Sequence, residues 1–188
     1  MNGLYEAAAE IQAFCESRGW RFCFIGGLAL IRWGAVRQTQ DVDLTLLTGF
    51  DDERFIDDLL NTFTARIKEA KSFALQSRVV LVSAANGTPL DVSLGGLPFE
   101  EEMVGRSSPF AYLPSLRLNT ASAEDMVILK SFAGRTKDWA DVESIVERQA
   151  GKLDWQLIFR ELTPLCELKE SPESLERLKL LRDQRSSE

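Results

Sequence analysis

The chain has 188 residues, 45% of them hydrophobic and 27% charged, the balance of a soluble globular protein with room for one α/β domain and a helical appendage. A net charge of −7 and an isoelectric point of about 4.8 offer no broad footprint for phosphate backbones, so duplex DNA is not an expected partner. Histidine is absent, which removes Ser-His-Asp and Cys-His centres, histidine-ligated zinc and imidazole acid–base chemistry, and leaves carboxylates, Lys, Arg, Tyr, hydroxyls or a hard metal ion.

Leu4, Ala8, Ile11 and Cys15 recur at helical spacing and predict a helix over 4–18, stopped by Gly19. Residues 21–25 are apolar and aromatic and read as a buried strand. Gly26 and Gly27 break it, and 28–33 reads as a short helix. Alternation of charged and apolar residues makes 41–47 a strand, and 55–73 carries one long helical pattern. Two apolar runs, 79–84 and 89–94, flank Asn86-Gly87, a strong hairpin signal. A short helix is expected over 98–106, then weak strands at 110–113 and 116–118 around Pro114. Ser122 and Asp125 resemble a capping box and open a helix to about residue 132; further helices are expected over 138–149, 154–166 and 172–185. The order changes from mixed to purely helical near Asn119. The expected fold class is therefore α/β: a mixed, twisted sheet flanked by helices over 1–118, followed by a C-terminal helical region over 119–188.

The three cysteines, Cys15, Cys23 and Cys166, are odd in number and far apart, so neither a disulfide framework nor a zinc spacing follows. A reduced, cytoplasmic setting is expected. No apolar run approaches the roughly 20 residues that span a bilayer, so no membrane association is expected. The opening Met1-Asn2-Gly3-Leu4-Tyr5-Glu6 lacks a basic region before an apolar core, so no secretory leader is expected.

The chemically informative stretch runs from Phe24 to Leu44. Two glycines end a strand and open a helix, where backbone can approach a ligand and N–H groups favour phosphate oxygens. Arg37 and Thr39 follow as hydrogen-bond donors. Asp41-Val42-Asp43 comes next, and alternate strand residues share a face. Two adjacent carboxylates on an apolar strand repel one another and are costly to desolvate. A divalent cation resolves both problems, and oxygen ligands select Mg²⁺ or Mn²⁺ over zinc. Asp91, in the strand after the Asn-Gly turn, is a candidate third carboxylate. Three carboxylates around one or two Mg²⁺ ions suit in-line attack on an α-phosphate.

Plainer readings stand beside these. An isolated Asp-x-Asp is common on exposed strands; the glycines and Arg37-x-Thr39 at this spacing distinguish this one. Arg37 could pair with a surface carboxylate, Lys130 could reach solvent from an apolar helix, and Asp138 could cap the helix it opens. Glu100-Glu101-Glu102 reads as a solvated helix face. Trp20, Trp33, Trp139 and Trp155 read as core, with Trp139, beside Asp138, the one candidate for base stacking.

Gly26-Gly27-Leu28-Ala29-Leu30, then Arg37-x-Thr39-x-Asp41-x-Asp43, then a later strand aspartate at 91 resembles the nucleotidyltransferase superfamily of the DNA polymerase β type. Within it the closest likeness is to AbiEii-type nucleotidyltransferases of bacterial toxin–antitoxin systems. The runs 123–130 and 135–141 resemble helical motifs of the same group. The resemblance, over roughly residues 20 to 145, implies a nucleotidyltransferase-like fold. It further implies Mg²⁺- or Mn²⁺-dependent transfer of a nucleoside monophosphate from an NTP to an acceptor hydroxyl. That acceptor could belong to tRNA, a protein or a small molecule, and an antitoxin protein would be a partner of a toxin-type member.

By position the resemblance makes Asp41, Asp43 and Asp91 metal ligands and catalytic carboxylates, with Asp91 as the base. Asp138 becomes a further catalytic or cleft carboxylate, and Asp141 a weaker one. Gly26, Gly27 and Thr39 would contact phosphate, while Arg37 and Lys130 would neutralise its charge, in a cleft between the sheet and the C-terminal helices. The alternatives are an antibiotic-modifying enzyme acting on a small molecule and a non-catalytic nucleotide-binding relative. One departure is the hydroxyl residue that many members carry near the glycines: Gly27 and Leu28 stand there, and Thr39 or backbone N–H groups would replace it.

Overall fold

The apolar runs of the first 120 residues pair into one mixed sheet in the computed structural model, which describes residues 3–34, 38–149 and 151–186. Its strands are β1 (Phe22–Phe24), β2 (Val42–Leu47), β3 (Thr64–Ala65), β4 (Val79–Ser83), β5 (Pro89–Gly95), β6 (Ser108–Leu113) and β7 (Leu116–Thr120). They lie in the order β3-β4-β5-β2-β1-β7-β6. β2 pairs parallel with β5, and β1 parallel with β7; the other neighbours are antiparallel. The helices are α1 (Gly3–Ser17), α2 (Gly26–Trp33), α3 (Arg54–Thr62), α4 (Ala70–Ser77), α5 (Pro98–Arg106), α6 (Ala123–Ala133), α7 (Thr136–Gln149), α8 (Trp155–Lys169) and α9 (Pro172–Ser186). Among the described residues no helix is long and apolar enough to cross a membrane.

The chain divides into two compact units, one from 1–28 with 38–121 and one from 29–37 with 122–188. In the first, β2 is central and buries Val42, Leu44, Thr45 and Leu46, as a strand covered on both faces must. α1 buries the predicted stripe, Leu4, Ala8, Ile11 and Cys15, and adds Ala7 and Phe14. Asn86-Gly87 forms the expected hairpin between β4 and β5, with Gly87 at φ 82° and Asn86 Oδ1 accepting from the Thr88 N–H at 3.0 Å. The expected weak strands around Pro114 are the antiparallel pair β6 and β7.

The long helix expected over 55–73 does not form; α3 and α4 replace it, with β3 between them. Phe63 leaves the helix at φ −106°, ψ 153°, and its ring meets Phe14 edge-on at 5.0 Å. Thr64 and Ala65 then pair with Ser83 and Val82 on the free edge of β4. β-Branched Thr62 and Thr64 around an aromatic favour extended backbone, and the ladder on offer outweighs the helical period. Several boundaries also differ by a few residues, among them those around Gly26 and Asp41. α2 begins at Gly26 instead of 28, and Asp41 immediately precedes β2 instead of opening it.

In the second unit the caps are legible in the sequence. Ser122 Oγ accepts from the Asp125 N–H at 3.1 Å, and Asp154 accepts from Leu157 N–H at 2.9 Å, opening α6 and α8. Gly134, at φ 72°, closes α6. The C-terminal end of α2 presents carbonyls to α7: Gln149 Nε2 donates to Trp33 O at 3.0 Å, and Arg148 donates to Gly34 O. Donors there satisfy orphan carbonyls, and the arginine charge also complements the helix dipole. Met126, Val127, Ile128, Val142, Ile145 and Leu162 are buried at the heart of this unit.

Leu44 is fully buried in the central strand. Leu44→Ala is expected to cost about 2–5 kcal/mol, read as a lowered midpoint in urea unfolding.

Candidate active site

β2 and β5 run parallel in a register that sets Asp43 directly beside Asp91. Side chains of registered neighbours share a face, and Asp41 lies two residues before Asp43 on that same face. All three carboxylates are half-buried, and one oxygen from each lies within 4.8 Å of the other two. The sheet therefore converges the three acids that the sequence singled out.

Their surroundings are as specific as their register. Thr39 Oγ1 donates to Asp41 Oδ1 at 2.9 Å and so fixes that carboxylate's orientation. Gly26 sits at φ +56°, and a Cβ there would lie 2.6 Å from Asp43 Cγ and overlap its carboxylate. At Gly27 a Cβ would overlap the Thr39 side chain, 2.5 Å from its Cβ. The two glycines thus make room for the site's own acid and hydroxyl. This gives the missing hydroxyl residue a steric reason: Thr39 fills the space that a side chain at 27 would need.

Sequence reasoning missed Arg66. Its guanidinium donates to Asp91 Oδ1 and forms an ion pair with it. Arg66 falls within the expected 55–73 helix. The signal that could have exposed it is the extended-favouring run Thr62-Phe63-Thr64 just before it. Burial pushes the Asp91 carboxyl above its usual range; Arg66 pulls it down, and Asp41 adds to the rise.

Within the second unit, Lys130, Asp138 and Asp141 gather into a charge cluster of their own. Lys130 Nζ on α6 lies 3.2 Å from Asp138 Oδ1 and 2.9 Å from Asp141 Oδ2, both on α7. Arg135 Nε meets the other Asp138 oxygen at 2.5 Å. Asp138 is the third residue of α7, not its cap, and its side chain is wholly buried. Burial pushes its carboxyl up, but hydrogen bonds from Arg135 and Lys130 outweigh this and hold it below the usual range. Trp139 is buried, with the Arg177 guanidinium 4.4 Å from its ring centroid, so its face already carries a cation. Arg37 lies outside the described residues.

A family model described as "Nucleotidyltransferase of unknown function (DUF6036)" matches residues 2–180. Among solved structures the chain is similar to an antigenic nucleotidyltransferase-like protein from Paracoccidioides brasiliensis, with TM-score 0.54 and 14% identity over 91% of this chain and 90% of that one. It is also similar to the antibiotic-resistance factor ANT(2'')-Ia, with TM-score 0.55 and 16% identity over 98% of this chain and 97% of that one. At such identities the likeness is one of fold. No curated protein sequence matches the chain.

Lys130→Met strips the ammonium from two acids in a buried setting. It is expected to destabilise the protein by about 3–5 kcal/mol at neutral pH in chemical denaturation. Because the Asp138 carboxyl is depressed, its stabilising contribution is full above the ordinary Asp value and is lost as pH falls through its lowered one. Asp138→Asn is therefore expected to flatten the loss of stability below about pH 4, measured as thermal midpoint against pH.

Proposed function

Because the chain belongs to the nucleotidyltransferase family described as being of unknown function (DUF6036), we propose that it moves a nucleoside monophosphate from an NTP to an acceptor hydroxyl, with Mg²⁺ or Mn²⁺ held by Asp41, Asp43 and Asp91. The observation that carries this reading is the convergence of the three carboxylates within 4.8 Å. The donor set fits a hard divalent cation. Every donor is a carboxylate oxygen, and a cation with ligands at about 2.0–2.6 Å spans oxygens about 3–5 Å apart. Gly26 leaves room for the Asp43 carboxylate, which any side chain there would displace. When bound, the cation would polarise the α-phosphate and offset its charge.

The chain's own groups would then divide the work. Thr39 holds Asp41 in one orientation. Asp91, whose carboxyl burial has raised, would take the proton from the acceptor hydroxyl on a carboxylate oxygen. Backbone N–H groups at Gly26 and Gly27, in the first turn of α2, suit the phosphate oxygens. Pyrophosphate leaves as the new phosphodiester forms.

The run Gly26-Gly27-Leu28-Ala29-Leu30 supports an AbiEii-like, toxin-type acceptor in RNA or protein, with an antitoxin as partner. A second reading follows from the neighbour named an antibiotic-resistance factor, and takes a small-molecule hydroxyl as acceptor.

With α-labelled NTPs and Mg²⁺, the purified chain is expected to label one of three pools: total RNA, total protein, or aminoglycosides. Asp41→Asn with Asp43→Asn is expected to lower that labelling by on the order of 10³-fold, with circular dichroism unchanged. Labelling that survives the double substitution would remove the proposed site. The pool that accepts label decides between the two acceptor readings.

A further inference from the structure

We infer that Arg66 is a built-in counter-cation of the acidic site, which weakens its hold on a free divalent ion and reserves tight binding for the ion that arrives with a polyphosphate. This rests on the metal-site reading above and adds to it a residue that no family motif supplied.

Register, not chance proximity, sets Arg66 there. The Arg66 N–H donates to Leu81 O at 3.0 Å, continuing the β3–β4 ladder by one residue. Leu81 is the register partner of Asp91 across β4 and β5, and Asp91 is the partner of Asp43 across β5 and β2. Arg66, Leu81, Asp91 and Asp43 therefore form one row across four strands. Strands lie about 4.8 Å apart, so Arg66 and Asp91 start about 10 Å apart along that row, a gap their two side chains close between them. The guanidinium ends on Oδ1 of Asp91, whose carboxylate is one of the three that offer an oxygen within 4.8 Å of one another.

The physical consequence is competition. Like charges at this spacing raise the affinity for any cation, and a fixed guanidinium already satisfies part of that demand. An incoming divalent ion must share Asp91 with Arg66 or displace it. A bound triphosphate adds negative charge that can accept the released guanidinium, and an arginine matches phosphate geometry well. The pair is also partly exposed, with side-chain exposures of 28% and 33%. A surface ion pair of that kind contributes little to stability, so Arg66 can be changed without endangering the fold.

The test is Mn²⁺ alone, titrated into the intact chain and followed by the electron paramagnetic resonance signal of the free ion. Arg66→Gln is expected to tighten Mn²⁺ binding by about tenfold or more, since it removes one opposing unit charge from the site. Arg66→Lys keeps the charge and is expected to stay near wild type. An unchanged or weakened affinity in Arg66→Gln would overturn the inference and leave the pair as an ordinary surface bridge. If neither the wild type nor Arg66→Gln shows Mn²⁺ binding that Asp41→Asn with Asp43→Asn abolishes, the metal-site reading fails too. The two failures are therefore told apart in one set of titrations.

Discussion

Two parallel strands hold two carboxylates where they repel each other, and the rest of the first unit is arranged around that pairing. Asp43 and Asp91 are registered neighbours on β2 and β5, and Asp41 joins them from just before β2. A like-charge pair near 4 Å costs roughly 1–4 kcal/mol at effective dielectrics between water and a protein surface. On the same two strands Val42, Leu44, Leu46, Leu90, Val92 and Leu94 are buried, and each contributes about 1.5–3 kcal/mol. The apolar burial exceeds the repulsion, so the fold can hold the acids together without a ligand.

The groups nearest the acids each relieve or direct that charge. Thr39 holds Asp41, Arg66 holds Asp91, and Gly26 leaves room for the Asp43 carboxylate. None of these acts at long range; each is a neighbour set by a strand register or a tight turn. The second unit solves a similar problem by pairing. Asp138 and Asp141 are buried on α7, and Lys130 and Arg135 neutralise them at hydrogen-bond distance. One unit gathers three acids around one arginine, while the other pairs its two buried acids with two cations.

Much of this was legible in the residues. The Asp-x-Asp alternation, the Asn86-Gly87 turn and the apolar run around Asp91 fix a hairpin beside the Asp-x-Asp strand, because strand periodicity is strict. Ser122, Gly134 and Asp154 announce helix ends, because their side-chain or backbone preferences act locally. The stretch 55–73 departs from its sequence pattern because a helical apolar period there competes with an edge ladder on β4, which only tertiary structure provides. Arg66 was lost with it. The role of Thr39 beside Asp41 was also hidden, since a hydroxyl two residues from a carboxylate can turn to it or to a ligand with equal ease. The close fit of Gly27 against Thr39 depends on how the residues just before β2 pass Gly27, which no local pattern records.

The most direct measurement is anomalous diffraction from crystals of the chain soaked in MnCl₂ with a non-hydrolysable NTP analogue. A Mn²⁺ peak with Asp41, Asp43 and Asp91 oxygens at about 2.0–2.3 Å, and the α-phosphate joined to the same ion, is the expected result. Clear density for the analogue with no Mn²⁺ peak among those three side chains would contradict it.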